Sequence, residues 1–469
     1  MTTRRHHAIA VLLTFALVLA SAACTRSDSE TETGGGGDAA SETSDGGGGG
    51  SSGGALSDGN FGDLEHVCGE AEEGADTAAE ETGLTADQIR LGTITDKGSQ
   101  ERPGLTKEMY DTAVAFANWC NEQGGIQGRE VVIDDLDAAL FNYGQRIAEA
   151  CQQDFALVGG GGVFDSQGIQ ERIDCGLPNF PGYTVTPQAS VADLQVQAIP
   201  NPVYEFQAAG YRWIREADEE ADKFGVLWVN LDGPSTVHQQ TIETVEELGY
   251  EVVYDEQYRP LGETGWRGFV QQMRDAGVEV VELIGEPEYM VQFQTAMQTE
   301  GWYPDYTLLQ PNYIDQSFLE EGASTLSEAT FARSPIPPFE MAAEVPALQD
   351  FLDLMEQYNP EGRVAFLGVQ ALSSLLLFAT AANECGADLS RECVLEEARN
   401  MEGWTAGGLH APQTPGNAEA GECSLLVHFT PDGFVQDTEM AEPNEGLYNC
   451  DPANVMELTG DYGVPRPQA

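Results

Sequence analysis

The chain has 469 residues, 21 Lys plus Arg against 78 Asp plus Glu, a formal net charge of −57 and 41% hydrophobic residues. That excess of acid excludes nucleic-acid binding, which needs clustered Lys and Arg, and adsorption to anionic lipid. The apolar share suffices for a core, and the length fits two or three domains.

Arg4 and Arg5 precede an apolar run from Ala8 to Ala20, broken only by Thr14, and then Ser21-Ala22-Ala23-Cys24. A basic start, about 13 apolar residues and small residues predict a signal peptide over 1–23, too short to span a bilayer as a mature helix. The small residues before Cys24 resemble a bacterial lipobox, which implies a diacylated cysteine and a membrane anchor. Ser21 stands where Leu is usual, so ordinary cleavage is the alternative. From Thr25 to Ala55 the chain is mostly Gly, Ser, Thr, Asp and Glu, which cannot bury enough surface to fold. Residues 24–85 are therefore expected to hold the anchor, a tether and a lead-in. Gly49 to Gly53 matches GxSxG formally, but no strand precedes it and no helix follows, so it is no nucleophile elbow.

Setting Cys24 aside leaves Cys68, Cys120, Cys151, Cys175, Cys385, Cys393, Cys423 and Cys450. An even set in an exported chain reads as disulfides, with about 105 pairings open to eight cysteines. Local spacing suggests Cys151–Cys175, Cys385–Cys393 and Cys423–Cys450, leaving Cys68–Cys120; buried free thiols are the alternative.

The elements then alternate. Ile89–Thr95 reads as a strand. Thr106–Gln123 reads as a helix with Met109, Ala113, Phe116, Ala117 and Cys120 on one face, stopped by Gly124-Gly125. Strands at Val131–Asp135, Phe155–Val158 and Leu177–Phe180 alternate with helices at Tyr143–Gln152 and near Ser166–Asp174. After Pro200–Pro202 the pattern restarts, with helices at Tyr204–Glu219, Thr236–Leu248, Trp266–Ala276 and Tyr289–Glu300. Strands at Phe224–Asn230, Glu251–Tyr254, Val278–Ile284 and Thr307–Gln310 accompany them. Beyond Pro335–Pro338 come helices at Ala347–Tyr358, Phe366–Glu384 and Ser390–Asn400, then a hairpin, Leu425–Thr430 with Phe434–Gln436. Phe366–Ala382 is apolar enough to raise a membrane span, but Gln370, Ser373 and Ser374 interrupt it, which favours a buried core helix. The whole is an α/β chain of two doubly wound units.

Ile89-Arg90-Leu91-Gly92, Phe116-Ala117-Asn118, the run from Asn121 to Arg129 and Phe155-Ala156-Leu157-Val158-Gly159-Gly160 together resemble the substrate-binding lipoproteins of branched-chain amino acid ABC transporters. The resemblance covers about residues 86 to 440. The cysteine-bearing stretch from Asn383 to Ala398 looks like an actinobacterial branch of that group. It implies the type I periplasmic-binding-protein fold: two α/β lobes joined by three crossing segments. The boundaries would be 86–200 plus 336–410 for lobe one and 201–335 plus 411–469 for lobe two. It further implies a small-molecule solute, an ABC transporter permease as partner, no cofactor or metal, no catalysis, a monomeric state and a lipid-anchored location on the outer face of the cell membrane. A sensory ligand-binding protein and an exported enzyme on a similar α/β scaffold are the alternatives.

Ligands of open parallel sheets sit beyond the carboxyl ends of strands. Gly159 to Ser166 is the foremost candidate, because four glycines let backbone N–H groups approach a ligand and a helix start suits a carboxylate. Its residues Gly161, Gly162, Phe164 and Ser166 are ligand candidates; a tight turn with Asp165 as N-cap is the alternative. The resemblance assigns the ligand carboxylate to this loop and the next, which brings in Tyr183 and Thr184. Lobe two offers Asn230, Glu286 and Tyr313 at strand ends. Asp96, Asp137, Phe141 and Tyr143 also follow strands. Glu286 and Tyr313 do not reproduce the arrangement of aliphatic amino acid binders, which leaves amides, urea-like compounds and other small polar molecules open beside amino acids. No HExxH, GxxxxGK[ST] or EF-hand pattern occurs.

Overall fold

The computed structural model describes residues 56–71, 81–416 and 419–466. The predicted signal peptide, Cys24 and the Gly-rich tether lie outside the described residues.

Lobe one opens with β1 (Gln88–Thr95), α1 (Lys107–Glu122), β2 (Glu130–Asp137), α2 (Tyr143–Gln153), β3 (Ala156–Val158), α3 (Ile169–Asp174), β4 (Asn179–Phe180) and the short α4 (Pro187–Ser190). Its strands form a parallel sheet in the order β2-β1-β3-β4. The apolar face read from the sequence of α1 is buried in full: Met109, Ala113, Phe116 and Cys120 are all inaccessible. Such burial contributes about 1.5–3 kcal/mol for each large side chain and offsets the entropy of ordering the helix. Gly124 (φ 110°) and Gly125 (φ 84°) end α1 with a backbone that residues with a Cβ rarely adopt.

Lobe two contains β5 (Glu205–Gln207), α5 (Ala209–Ala217), β6 (Lys223–Val229), α6 (Asp232–Glu247), β7 (Glu251–Tyr258), α7 (Trp266–Ala276), β8 (Val280–Ile284), α8 (Pro287–Glu300), β9 (Tyr306–Leu309), α9 (Gln316–Gly322) and β10 (Thr330–Ser334). The chain then returns to lobe one with α10 (Pro346–Tyr358), α11 (Phe366–Cys385) and α12 (Arg391–Arg399). It finishes in lobe two with β11 (Cys423–Thr430), β12 (Gly433–Gln436), β13 (Asn449–Cys450) and β14 (Val455–Glu457). The large sheet runs β12-β11-β10-β9-β8-β6-β7, with β13 paired to β11. Strands β6 to β10 are parallel, and β11 closes on β10 antiparallel. The chain crosses between lobes near 200, near 335 and after 410. Two crossings are tied together where the Ala411 N–H donates to the Pro335 carbonyl at 2.8 Å.

Three expectations change. The predicted helix from Tyr204 begins as strand β5, because β14 offers it an antiparallel backbone partner; α5 starts only at Ala209. Helix α3 starts at Ile169 rather than Ser166, after Gly168 turns the chain with φ 80°. Strand β10 and helix α9 were not among the predicted elements.

Segment 56–71 packs onto lobe one: Phe61 is inaccessible beside Trp119, whose indole N–H donates to the Leu56 carbonyl at 2.8 Å. Helix α11 is long and apolar enough to cross a membrane, but 83% of that stretch is buried inside the fold, against α1, α12 and β3. A helix apolar all round is at home in such a core. All four suggested disulfides are present: Cys68–Cys120, Cys151–Cys175, Cys385–Cys393 and Cys423–Cys450.

Candidate functional site: the interlobe cavity

The carboxyl ends of both sheets face one cavity of about 610 Å³ between the lobes. On lobe one, buried carboxylates fix the loops that wall it. Asp96, at the end of β1, accepts from the Leu140 N–H (2.7 Å) and the Val163 N–H (2.8 Å), joining the loops after β2 and β3. Burial raises its pKa while those two bonds pull it down. Asp165 accepts from the Val185 N–H (2.6 Å), the Thr186 N–H (3.1 Å) and the Thr186 hydroxyl (2.6 Å), fixing the loop after β4. Burial outweighs these bonds and moves its pKa to about 7. Asp137 receives the Gly98 and Ala139 N–H groups, and Tyr143 is buried in the core. These side chains shape the site without facing it.

The glycine loop passes close to the next one: a Cβ on Gly161 would stand 2.7 Å from the Tyr183 carbonyl oxygen. Its N–H groups are largely spent within the lobe, Gly159 on Phe180, Gly161 on Ile94 and Val163 on Asp96. The loop therefore contributes shape more than donors.

Of the predicted ligand residues, the structure brings Gly161, Gly162, Phe164, Tyr183 and Glu286 to the cavity lining. It does not bring Ser166, Thr184, Asn230 or Tyr313. Thr184 turns inward, its hydroxyl 3.0 Å from that of Ser190 and donating to Gln197 at 3.1 Å. Ser166, half-buried ahead of α3, is not on the lining, and Asn230 is exposed beside the lining residues Val229 and Leu231. Tyr313 is inaccessible, and its phenol donates to the Leu283 carbonyl at 2.8 Å.

Residues not foreseen carry most of the polarity. Arg102, in the loop after β1, pairs across the cleft with Glu286 (2.7 Å) and Glu288 (2.6 Å). Arg363, before α11, pairs with Glu108 of α1 (3.6 Å) and with Asp315 of lobe two. Gln370 of α11 is 6% exposed, and its Oε1 has no hydrogen-bond partner among the described residues. Arg333 of β10 is half-buried on the lining, and its guanidinium makes no ion pair or hydrogen bond among the described residues. Burial lowers its pKa to about 10, with Tyr211, Glu282 and Tyr183 opposing, so it is a cation at neutral pH. Behind it Glu282 is fully buried, its oxygens taken by the Tyr211 hydroxyl (2.8 Å) and by Gln310. The Tyr183 phenol is likewise without a partner among the described residues, and burial raises its pKa to about 12.

The remaining lining is mainly apolar. Phe141 stacks on Phe164 with centroids 5.7 Å apart. Phe141 (63% exposed) on lobe one and Leu261 (73%) on lobe two stand at the cavity as exposed apolar side chains.

Two lobes of this topology enclose a shared cleft. A family model described as periplasmic binding protein matches residues 88–433, so the chain belongs to that family, a substrate-binding and non-enzymatic class that works with ABC transporters. Among similar solved structures is a fatty acid ABC transporter substrate-binding protein from Thermomonospora curvata, 17% identical with a TM-score of 0.66, covering 78% of this chain and 95% of that one. The leucine-binding protein LivK from Thermotoga maritima is 15% identical with a TM-score of 0.61, covering 74% and 97%. LivJ from Streptococcus pneumoniae, in complex with isoleucine, is 14% identical with a TM-score of 0.60, covering 75% and 100%. These likenesses establish the type I periplasmic-binding-protein fold. No curated protein sequence matches the chain.

Proposed function

We propose that the protein is a cell-surface solute-binding component, anchored by lipid on Cys24, that captures a small organic solute between its lobes and delivers it to an ABC transporter permease. The observation that carries this is the cavity of about 610 Å³, lined from both lobes and from the crossing segments. A solute touching both lobes gains its full contact only when they stand together. It therefore shifts the population toward the closed form by its differential affinity, and the closed form is what a permease recognises. The ion pairs of Arg102 with Glu286 and Glu288, and of Arg363 with Asp315, span the same cleft and favour the same closed form. Similar structures include a fatty acid ABC transporter substrate-binding protein and a binding protein in complex with isoleucine. Both solutes are carboxylates with apolar groups, which supports an organic acid or amino acid here.

The test is a thermal-shift screen of the mature chain over amino acids, amides, polyamines and short organic acids, since a bound solute raises apparent stability by mass action. A dose-dependent rise with one class, accompanied by a smaller radius of gyration in solution scattering, is the expected result. Stabilisation without compaction would refute capture by closure. Mass spectrometry of the mature N-terminus tests the anchor: an unmodified Cys24, or cleavage elsewhere, removes it.

A further inference from the structure

We infer that the solute is a monocarboxylate with an apolar body and no ammonium group, its carboxylate held by Arg333 and its body lying between Phe141, Phe164 and Leu261. The inference rests on the solute-binding reading above and names the solute class.

Three observations carry it. First, the cationic groups of the cavity are not equivalent. Arg102 and Arg363 each hold two carboxylates, whereas Arg333 holds none among the described residues. The charge of buried Glu282 favours the Arg333 guanidinium from behind but makes no ion pair with it among the described residues, and a guanidinium's planar fork matches a carboxylate. Second, two neutral polar groups line the same cavity with an unpartnered atom among the described residues: the Tyr183 phenol and the Oε1 of Gln370, a residue more than nine-tenths buried. The phenol can donate to a carboxylate beside Arg333; the amide can rotate to present its N–H₂ group. Third, a solute ammonium would need a free carboxylate. The cavity acids Glu286, Glu288 and Asp315 are each held by an arginine, and Glu205 accepts the Ala420 N–H at 2.7 Å. Glu108, 5% exposed, has Arg363 at 3.6 Å and an Oε2 without a hydrogen bond among the described residues, so the leucine probe below also tests that acid. Glu101 and Glu321 are left at the exposed rim. The apolar remainder of the lining, with exposed Phe141 and Leu261, suits a hydrocarbon or aromatic body.

A matched pair of probes separates the classes. 4-Methylpentanoate and leucine differ only by the α-ammonium group, and 4-methylpentanamide lacks the charge; octanoate extends the apolar body. Calorimetric titration of the mature chain should show 4-methylpentanoate and octanoate binding at least tenfold tighter than leucine and the amide. Arg333→Gln should weaken the carboxylates tenfold or more. Tyr183→Phe, which leaves the packing volume intact, should weaken them about threefold to tenfold and serves if Arg333→Gln does not fold. Leucine binding as tightly as 4-methylpentanoate, or carboxylate affinity indifferent to both substitutions, would overturn the inference and leave the solute-binding reading in place. Failure of every solute in the broader screen to bind would overturn both.

Discussion

Replacing Arg102 by Gln should open the protein. The guanidinium reaches Glu286 at 2.7 Å through one nitrogen and Glu288 at 2.6 and 2.9 Å through two others. Arg102 comes from lobe one and both acids from lobe two, so the pairs exist only while the lobes stand together. At an effective dielectric constant of about 20 each pair would attract by about 4 kcal/mol, an upper bound. The side chains are 28%, 36% and 35% exposed, so water and salt screen much of that. Holding three flexible side chains in one geometry costs entropy as well. About 0.5–1 kcal/mol per pair remains, or about 1–2 kcal/mol for the site. Removing it should shift the open-to-closed ratio by about 5- to 30-fold toward open, because 1.4 kcal/mol is tenfold. Solution scattering reads this as a larger radius of gyration for Arg102→Gln, and apparent solute affinity should fall by up to the same factor. Raising NaCl from 50 to 500 mM should open the wild type more than the variant. An unchanged radius together with unchanged affinity would show that closure rests on other contacts.

His410 is 1% exposed, its Nε2 at 2.8 Å from the Ser373 hydroxyl, and burial lowers its pKa from 6.5 to about 4 despite a bond to the Ala411 carbonyl. The unfolded state therefore binds the extra proton first, so about 3 kcal/mol of stability present above pH 6.5 is lost as pH falls toward 4; His410→Gln should flatten that limb of the melting-temperature profile, and an unchanged slope would refute it. Deleting Cys68–Cys120 by a double Ser substitution frees a span of 52 residues and should cost about 4 kcal/mol in chemical denaturation; a loss below about 1 kcal/mol would show that 56–71 is held by packing alone. With a net charge of −57, which loss of Arg4 and Arg5 would make more negative, self-repulsion should be relieved by salt and the melting temperature should rise with NaCl. No rise would assign the acidic surface no energetic weight.

Much of the fold was legible because amphipathic periodicity and glycine stops mark helices such as α1, and because strand ends in doubly wound sheets point to the ligand side. That rule pointed to Gly161, Gly162 and Glu286, which line the cavity. The family resemblance added Tyr183 and Thr184; Tyr183 lines the cavity, whereas the Thr184 hydroxyl is taken up by Ser190 and Gln197 inside the lobe. Strand β10 escaped because Thr330-Phe331-Ala332-Arg333-Ser334 has little β-branching and no clean alternation. An arginine among apolar and small residues, in so acidic a chain, was a signal that the sequence reading left unused. Gln370 was visible only as a polar break in an apolar helix. The neighbouring breaks find partners, Ser373 with His410 and Trp404 and Ser374 with the Pro181 carbonyl, whereas the Gln370 Oε1 finds none among the described residues. Such a difference depends on distant chain segments and has no sequence signature.

The four disulfides share a property that bears on how the molecule works. Cys68–Cys120, Cys151–Cys175 and Cys385–Cys393 lie within lobe one and Cys423–Cys450 within lobe two, so none fastens one lobe to the other. Covalent reinforcement is thus confined to the jaws and withheld from the hinge. Oxidation stiffens the two bodies that grip the solute while their relative swing is left to weak, quickly reversible contacts. A reductant would loosen each jaw from within, yet none of these four bonds is a lock on the hinge.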